Sequence, residues 1–421
     1  MSWREALRPV RMERVAIVAP ARSLDDVLRI VGAAGVVELS TPPDAQLREV
    51  SKSAVVRGEV AALAGWTPAK VVPELAGQVA PEGGAVVPLD RPRGKEAPSL
   101  LRSEGLRGTL APLVDTYGTT PYADLDPTPL AVGAYVLMFG MMFGDVGHGL
   151  VLLVAALGLY RERPRWLSRL HRAWPFVVGA GLASMLFGLL YGEFFGPTGV
   201  VPVLWVRPLA DPVTLLAAAL ACGALLLAVA YLLGVVNRWR EGGWPATLYS
   251  PAGVAGSALF FGLGLALFGW YAKLGWLAVA GGVIAVVGLV LAFTGFYAEA
   301  GGGAGATAQA LIQLFDVVVR LGANVASFAR LAAFGLTHAA VGWIVWSAAT
   351  GLWAANPFAA AAVFLLGNVL ALTIEALVAG VQALRLEYYE LFSRVFQAEG
   401  RPFRPWHLPP TPKEAVPCSL G

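Results

Sequence analysis

Apolar residues in this chain run in blocks far longer than a soluble helix needs. The stretch VTLLAAALACGALLLAVAYLLGVV (213–236) carries no charged side chain. At about 1.5 Å per residue it crosses a hydrocarbon layer of roughly 30 Å as a helix. Comparable blocks occupy about 129–146, 148–161, 173–195, 252–272 and 275–297, and two longer ones cover 307–350 and 356–396. None alternates apolar and polar residues, so a membrane barrel is excluded. The pattern predicts a polytopic α-helical membrane protein with two long, tilted C-terminal helices.

The first 125 residues read differently. RVAIVAP (14–20), VVELS (36–40) and AVVPLD (85–90) suit strands. SLDDVLRIVGAAG (23–35) has helical spacing, with Ser23 placed as N-cap and Gly35 as terminator. A further helical stretch is expected from there to about residue 64, before GWTP (65–68). The expected organisation is a small α+β cytoplasmic lobe over 1–125, a transmembrane domain over 126–398 and a short cytoplasmic tail over 399–421.

Loop charge sets the expected topology. RERPRWLSRLHR (161–172) holds five arginines and NRWRE (237–241) holds two. Positive loops stay on the cytoplasmic side. From a cytoplasmic N-terminus this requires 129–161, broken by GDVGHG (144–149), to cross twice. The count becomes about eight helices with both termini cytoplasmic. Each half of 129–161 is then short, about 25 Å or less. A single tilted helix is the alternative, and it would put five arginines outside.

Composition supports the same class. The chain is 57% hydrophobic and 14% charged, where a soluble protein carries about 25% charged residues. The net charge of +3 gives no basis for nucleic-acid binding. Two cysteines imply no disulfide framework. The N-terminal residues mix both charge signs without an apolar core, so no cleavable signal is expected. There is no phosphate-binding G-x-x-x-x-G-K-[ST] loop, no Ser/His/Asp constellation and no Cys/His spacing suited to a metal. No cofactor or metal is expected, and the chain is not expected to hydrolyse ATP itself.

Polar residues inside the two long blocks are the candidate chemistry. With about 100° per residue and Asp316 at zero, Arg320 falls near +40°, Ser327 near +20°, Arg330 near −40° and His338 near +40°, with Asn324 at the edge. Measured from Glu375, Gln382 falls near −20° and Arg385 near −80°. Intramembrane charges of this kind either lock a bundle together or line an ion path. A stripe that mixes Asp, Arg, His and Glu along a whole helix favours the path. Asp316 and Arg320 equally suit a local i,i+4 ion pair.

Four segments together resemble the membrane stator subunit of the V/A-type rotary ATPases, subunit a or I. They are YGTTPYADLDPTPLAVGAYVLMFGMMFGDVGHG (117–149), GLLYGEFFG (188–196), ASFARLAAFGLTHAAVG (326–342) and EALVAGVQALRLEYYELFSRVFQAEGRPFRPW (375–406). The resemblance implies a non-catalytic subunit of a prokaryotic cell membrane that translocates H⁺ or Na⁺ through two half-channels. It would act against a rotating ring of proteolipid (c/K-type) subunits, with peripheral-stalk and central-stalk partners. It implies Arg330 as the barrier facing the ring carboxylate. Glu375 and His338 would lie toward the non-cytoplasmic half-channel, Arg385 deeper, and Asp316 toward the cytoplasmic side. Asp145, His148 and Glu193 belong to the other signatures, and helix-packing hydrogen bonds suit them better than transport. VVELS and GWTP resemble the flanks of the family's long coiled coil, but only 24 residues separate them here. The coiled coil and distal lobe are therefore expected to be absent, which leaves a stand-alone transporter as the alternative.

Overall fold

Along Met12–Pro20 (β1) the positions Met12, Val15, Ile17 and Ala19 are buried. This near-alternation is what a one-sided sheet demands. The computed structural model describes residues 9–91, 96–101, 118–161, 171, 173–395 and 400–408. The arginine-rich loop lies mostly outside the described residues, as does the tail beyond 408.

The lobe is an antiparallel sheet in the order β2-β4-β1-β5, with β3 pairing β4. The other strands are β2 (Glu38–Leu39), β3 (Val55–Arg57), β4 (Val60–Pro68) and β5 (Ala85–Leu89). Helices α1 (Leu24–Ala34), α2 (Leu47–Lys52) and α3 (Val72–Val79) complete it. The strands expected near 14–20, 36–40 and 85–90 are present.

Two local expectations need correction. Ser23 does not cap α1 with its side chain; its hydroxyl donates to the Glu82 carbonyl at 2.9 Å. The stretch 41–64 is not one helix. Only six residues form α2, and Val55–Arg57 then turns back onto β4 through Gly58 and Glu59. Gly58 has φ +59°, a left-handed conformation that glycine adopts without steric cost. The β-branched Val55, Val56 and Val60 around this two-residue turn favour a hairpin. No long helical hairpin occupies this gap.

Residues 400–408, assigned to a tail by the sequence, are part of the lobe. Trp406 is fully buried among Val27, Leu28, Val31 and Leu75. Its indole donates to the Ala45 carbonyl at 2.9 Å, and its amide donates to Val37 at 2.8 Å. Arg401 pairs with the buried carboxylate of Glu38, which also accepts the Arg404 amide at 3.0 Å.

The second unit is helical: α4 (Thr128–Met142), α5 (Val146–Tyr160), α6 (Trp174–Tyr191), α7 (Pro212–Tyr249), α8 (Val254–Tyr271), α9 (Gly275–Glu299), α10 (Ala304–Ser327), α11 (Ala329–Trp353) and α12 (Pro357–Leu386). Among the described residues, six helical stretches are long and apolar enough to cross a membrane, with α10–α11 counted as one. α4 and α5 are apolar but only 15 residues each. The block 129–161 is thus two helices, as the GDVGHG break predicts.

Two long elements are irregular. Phe328 separates α10 from α11 with i→i+3 backbone bonds on either side, Phe328 to Val325 at 3.2 Å and Leu331 to Phe328 at 3.0 Å. This local tightening interrupts the α-helical hydrogen-bond ladder. Phe328 is wholly buried and packs so close to Gly223 of α7 that a Cβ there would lie 2.1 Å from its ring. After α12 the chain widens into π geometry over Glu387–Phe392 before Ser393–Val395.

Replacing Trp406 by alanine should destabilise the lobe by about 3–5 kcal/mol, the usual range for a buried large aromatic. Hydrogen exchange on the full chain checks this: amides of Leu24–Ala34 should lose protection, while those of α8 and α9 should not change.

Candidate functional site

The break between α4 and α5 is organised by one carboxylate. Asp145 is fully buried and caps α5 by accepting the His148 amide at 2.8 Å. The same side chain accepts the Phe195 amide at 3.0 Å and the Gly196 amide at 2.9 Å. The Val146 amide in turn donates to the Glu193 carbonyl at 3.0 Å. Ser184 of α6 donates to the carbonyls of Phe143 and Asp145, at 2.5 and 3.1 Å. Thus GDVGHG and YGEFFG, about 50 residues apart, form one structural unit.

Backbone conformation in the second motif is unusual. Gly192 and Gly196 have φ +73° and +90°, and Phe195 has φ +50°. A non-glycine residue there is strained and persists only when its surroundings hold it. Asp145 supplies one such restraint through the Phe195 amide. The ring of His148 supplies another, edge-on to Phe195 at 5.2 Å. Gly196 lies directly on α11, where a Cβ would come within 2.7 Å of the Gly342 carbonyl.

Against this unit stands the buried pair of α11 and α12. His338 Nδ1 and Glu375 Oε2 are 2.5 Å apart, at 5% and 18% side-chain exposure. The ring of His338 lies 5.5 Å from that of His148 and 4.6 Å from Phe143. The Glu193 carboxylate interacts electrostatically with His338, Asp145 and Glu375. One donor atom each of Asp145, His148 and His338 lies within 4.8 Å of the other two. Sequence spacing could not reveal this cluster, because its members are up to 193 positions apart (338 − 145).

Two cavities reach this chamber. One of about 260 Å³ is lined by His338, Glu375, Phe143 and Thr337. The other, about 560 Å³, is lined by Glu193, Tyr191, Arg207 and Trp343.

A second polar group surrounds Arg330, eight residues or about 12 Å along α11 from His338. Arg330 forms no ion pair among the described residues, and its buried Nη1 has no hydrogen-bond partner there. Glu390 interacts with the Ser327 hydroxyl and lies in the field of Arg330 and Arg385. Arg385 itself is exposed. With its amide oriented to satisfy its neighbours, Asn324 accepts from Arg394 at 3.0 Å, and Arg394 stacks over Tyr231. Glu387 is buried with both oxygens unpartnered. The Gln382 side-chain oxygen is also buried and unpartnered. Asp316 and Arg320 form an exposed i,i+4 bridge at 2.7 Å, apart from these groups.

Sequence reasoning missed Glu387, Glu390 and Arg394. The helical-wheel count fails beyond Leu386, because the π turn rotates later residues out of register.

The described residues therefore define a multi-pass helical membrane protein with buried ionisable side chains on its last helices and a small α+β lobe. The sequence profile of the V-type ATPase 116kDa subunit family matches residues 60–201. The A-type ATP synthase subunit I of Thermococcus kodakarensis is 27% identical over 385 residues, covering 82% of this chain and 54% of that protein. That of Archaeoglobus fulgidus is 27% identical over 403 residues, covering 82% and 58%. V-type ATP synthase subunit I 2 of Treponema pallidum is 43% identical over 83 residues, 20% of this chain and 18% of that protein. Over residues 60–201 the chain is thus similar to the V-type ATPase 116kDa subunit family, and over most of its length to A-type ATP synthase subunit I. It spans about half the length of the curated relatives it matches.

Asp145→Ala leaves three buried amides without an acceptor. The expected loss is about 1–3 kcal/mol for each. Thermal unfolding of the purified chain in detergent should show a clear drop in Tm, whereas Asp316→Ala, whose pair is exposed, should shift it little.

Proposed function

We propose that this chain is the ion-translocating stator subunit in the membrane sector of a V/A-type rotary ATPase. One observation carries the reading. The buried His338–Glu375 pair lines a cavity, and His338 shares α11 with Arg330, whose Nη1 is buried without a partner among the described residues. A bundle lock would pair its charges, whereas an unpaired guanidinium is available to a carboxylate on another subunit.

The chemistry follows from these groups. The guanidinium keeps its charge at any ordinary pH. A ring carboxylate arriving opposite Arg330 is stabilised in its ionised form and gives up its ion. The fixed charge also blocks direct leakage between two offset half-channels. Glu375, His338, Glu193 and Asp145 supply the non-cytoplasmic half-channel. Glu387, Glu390, Ser327 and Arg385 line the path near Arg330, and Asp316 lies toward the cytoplasmic entrance. The ring site sets whether the ion is H⁺ or Na⁺. The chain itself is non-catalytic, and ATP chemistry belongs to partner subunits.

The proposed ring contact has a surface counterpart. Only 11% of the most apolar window is buried in Ala304–Trp353 and in Pro357–Val395, against 22–33% in the other four spans. Phe315, Ile344, Leu366, Val369, Leu370 and Leu377 are all at least half exposed there. In this reading α4 and α5 each cross, giving eight crossings with both termini cytoplasmic. The lobe takes the place of the family's long arm, contacting a stalk subunit near the membrane surface.

Arg330→Ala should abolish ATP-coupled ion pumping in vesicles carrying the assembled complex, with assembly intact. Arg330→Lys should rescue little, since a buried lysine can lose its charge. Normal pumping by either variant would sink the half-channel reading.

A cysteine at Arg161 should label with an impermeant maleimide only from the cytoplasmic side. Labelling only from the opposite side would mean that residues 129–161 cross once.

A further inference from the structure

His148 is 2% exposed, and among the described residues neither ring nitrogen makes a full hydrogen bond; its polar neighbours are Asp145 and the Asn368 backbone. A buried imidazole so weakly partnered is costly and needs an explanation. Its Nδ1 stands 3.5 Å from Asp145 Oδ1, and the ring of His338 stands 5.5 Å away. We propose that Asp145, His148 and His338 form a binding site for one Zn²⁺-class transition-metal ion.

The donor set fits that class. Two imidazoles and a carboxylate suit Zn²⁺ and its neighbours and do not suit Mg²⁺ or Ca²⁺, which take oxygen ligands. Glu375 holds His338 through Nδ1 at 2.5 Å, which leaves Nε2 as the metal-binding nitrogen. A carboxylate fixing the far nitrogen of a liganding histidine is the usual arrangement behind such sites. Asp145 is oriented by the amides of His148 and Phe195 on Oδ1 and of Gly196 on Oδ2, which leaves Oδ2 a lone pair for the metal. Glu193 lies in the field of His338 and Asp145, and water would complete the fourth position.

Distance permits closure. Tetrahedral zinc with bonds of 2.0–2.1 Å places its ligand atoms about 3.3 Å apart. The three donors already lie within 4.8 Å of one another. Small rotations of the His148 ring, which lies between Phe143, Phe195 and His338, would have to close the rest of that gap. The cavities reaching His338 with Glu375 and Glu193 give the ion a route in. Any effect of the metal on transport rests on the stator reading above; the site itself does not.

The test uses the tag-free full chain in lipid nanodiscs, stripped with chelator, equilibrated with Zn²⁺ alone and desalted. Elemental analysis should find one zinc per chain, and the thermal midpoint should rise with Zn²⁺. His148→Ala should lose both signals. His148→Gln, which retains size and polarity, guards against misfolding and should lose them too. Glu375→Gln should weaken binding on the order of 10–100-fold, as expected for a supporting carboxylate. The His171→Ala/His407→Ala variant lacks the other two histidines and should keep full occupancy. Co²⁺ in place of Zn²⁺ should give a tetrahedral visible spectrum that depends on His148. No retained zinc in the wild type, or unchanged retention in both His148 variants, overturns the proposal. Neither outcome bears on the stator reading, because no measurement here involves transport.

Discussion

The structure around the candidate site depends on the Asp145 carboxylate and its three amide donors. A carboxylate without water needs hydrogen bonds to replace those it loses. Asp145 obtains them from both sides of a chain break, from His148 on one side and from Phe195 and Gly196 on the other. That single requirement ends α4 and starts α5, and it holds the loop after α6 in a left-handed conformation. Gly196 can then sit on α11 at Gly342, and His148 comes beside His338. If Asp145 were apolar, the two motifs would have no common acceptor, and the chamber would lose one wall.

The last two spans obey a different constraint. A charged side chain at the centre of a bilayer costs roughly 2.5–3.5 kcal/mol on insertion scales, so such residues need partners. His338 and Glu375 satisfy each other, and Asn324 with Tyr231 satisfies Arg394. Arg330 and Glu387 keep unpartnered buried atoms among the described residues. Together with the low burial of these spans, this leaves α10–α12 incomplete as an isolated surface. In the stator reading proposed above, a ring subunit presenting apolar area and a carboxylate would complement it.

Legibility in the sequence followed the range of the interaction. Apolar blocks and turn signals are local, so the helical spans and strands β1, β2 and β5 of the lobe could be read directly. The Gly58–Glu59 hairpin was also local, with valines on both sides, yet the short apolar run around it was read as helical. Trp406 could not be placed, because its partners Val37 and Ala45 lie more than 360 positions away. The helical wheel treats Asp316, Arg320, Ser327, Arg330 and His338 as one series on one helix; in the structure the break at Phe328 lies between Ser327 and Arg330, and Asp316 pairs with Arg320 in an exposed bridge. Glu387 and Glu390 became visible only with the π turn. The chamber was recognisable by resemblance of its motifs, but its assembly from residues 145, 148, 193, 338 and 375 is tertiary.

The central claim is that His338 and Glu375 act as one unit in the ion path. A double-mutant cycle on ATP-driven ion uptake tests this most directly, using His338→Gln, Glu375→Gln and the double variant in the assembled complex. If the pair is a single relay, each single substitution slows uptake and the double is no slower than the worse single. Losses that simply multiply would show two independent groups, and unchanged uptake in all three would show a helix lock with no part in transport.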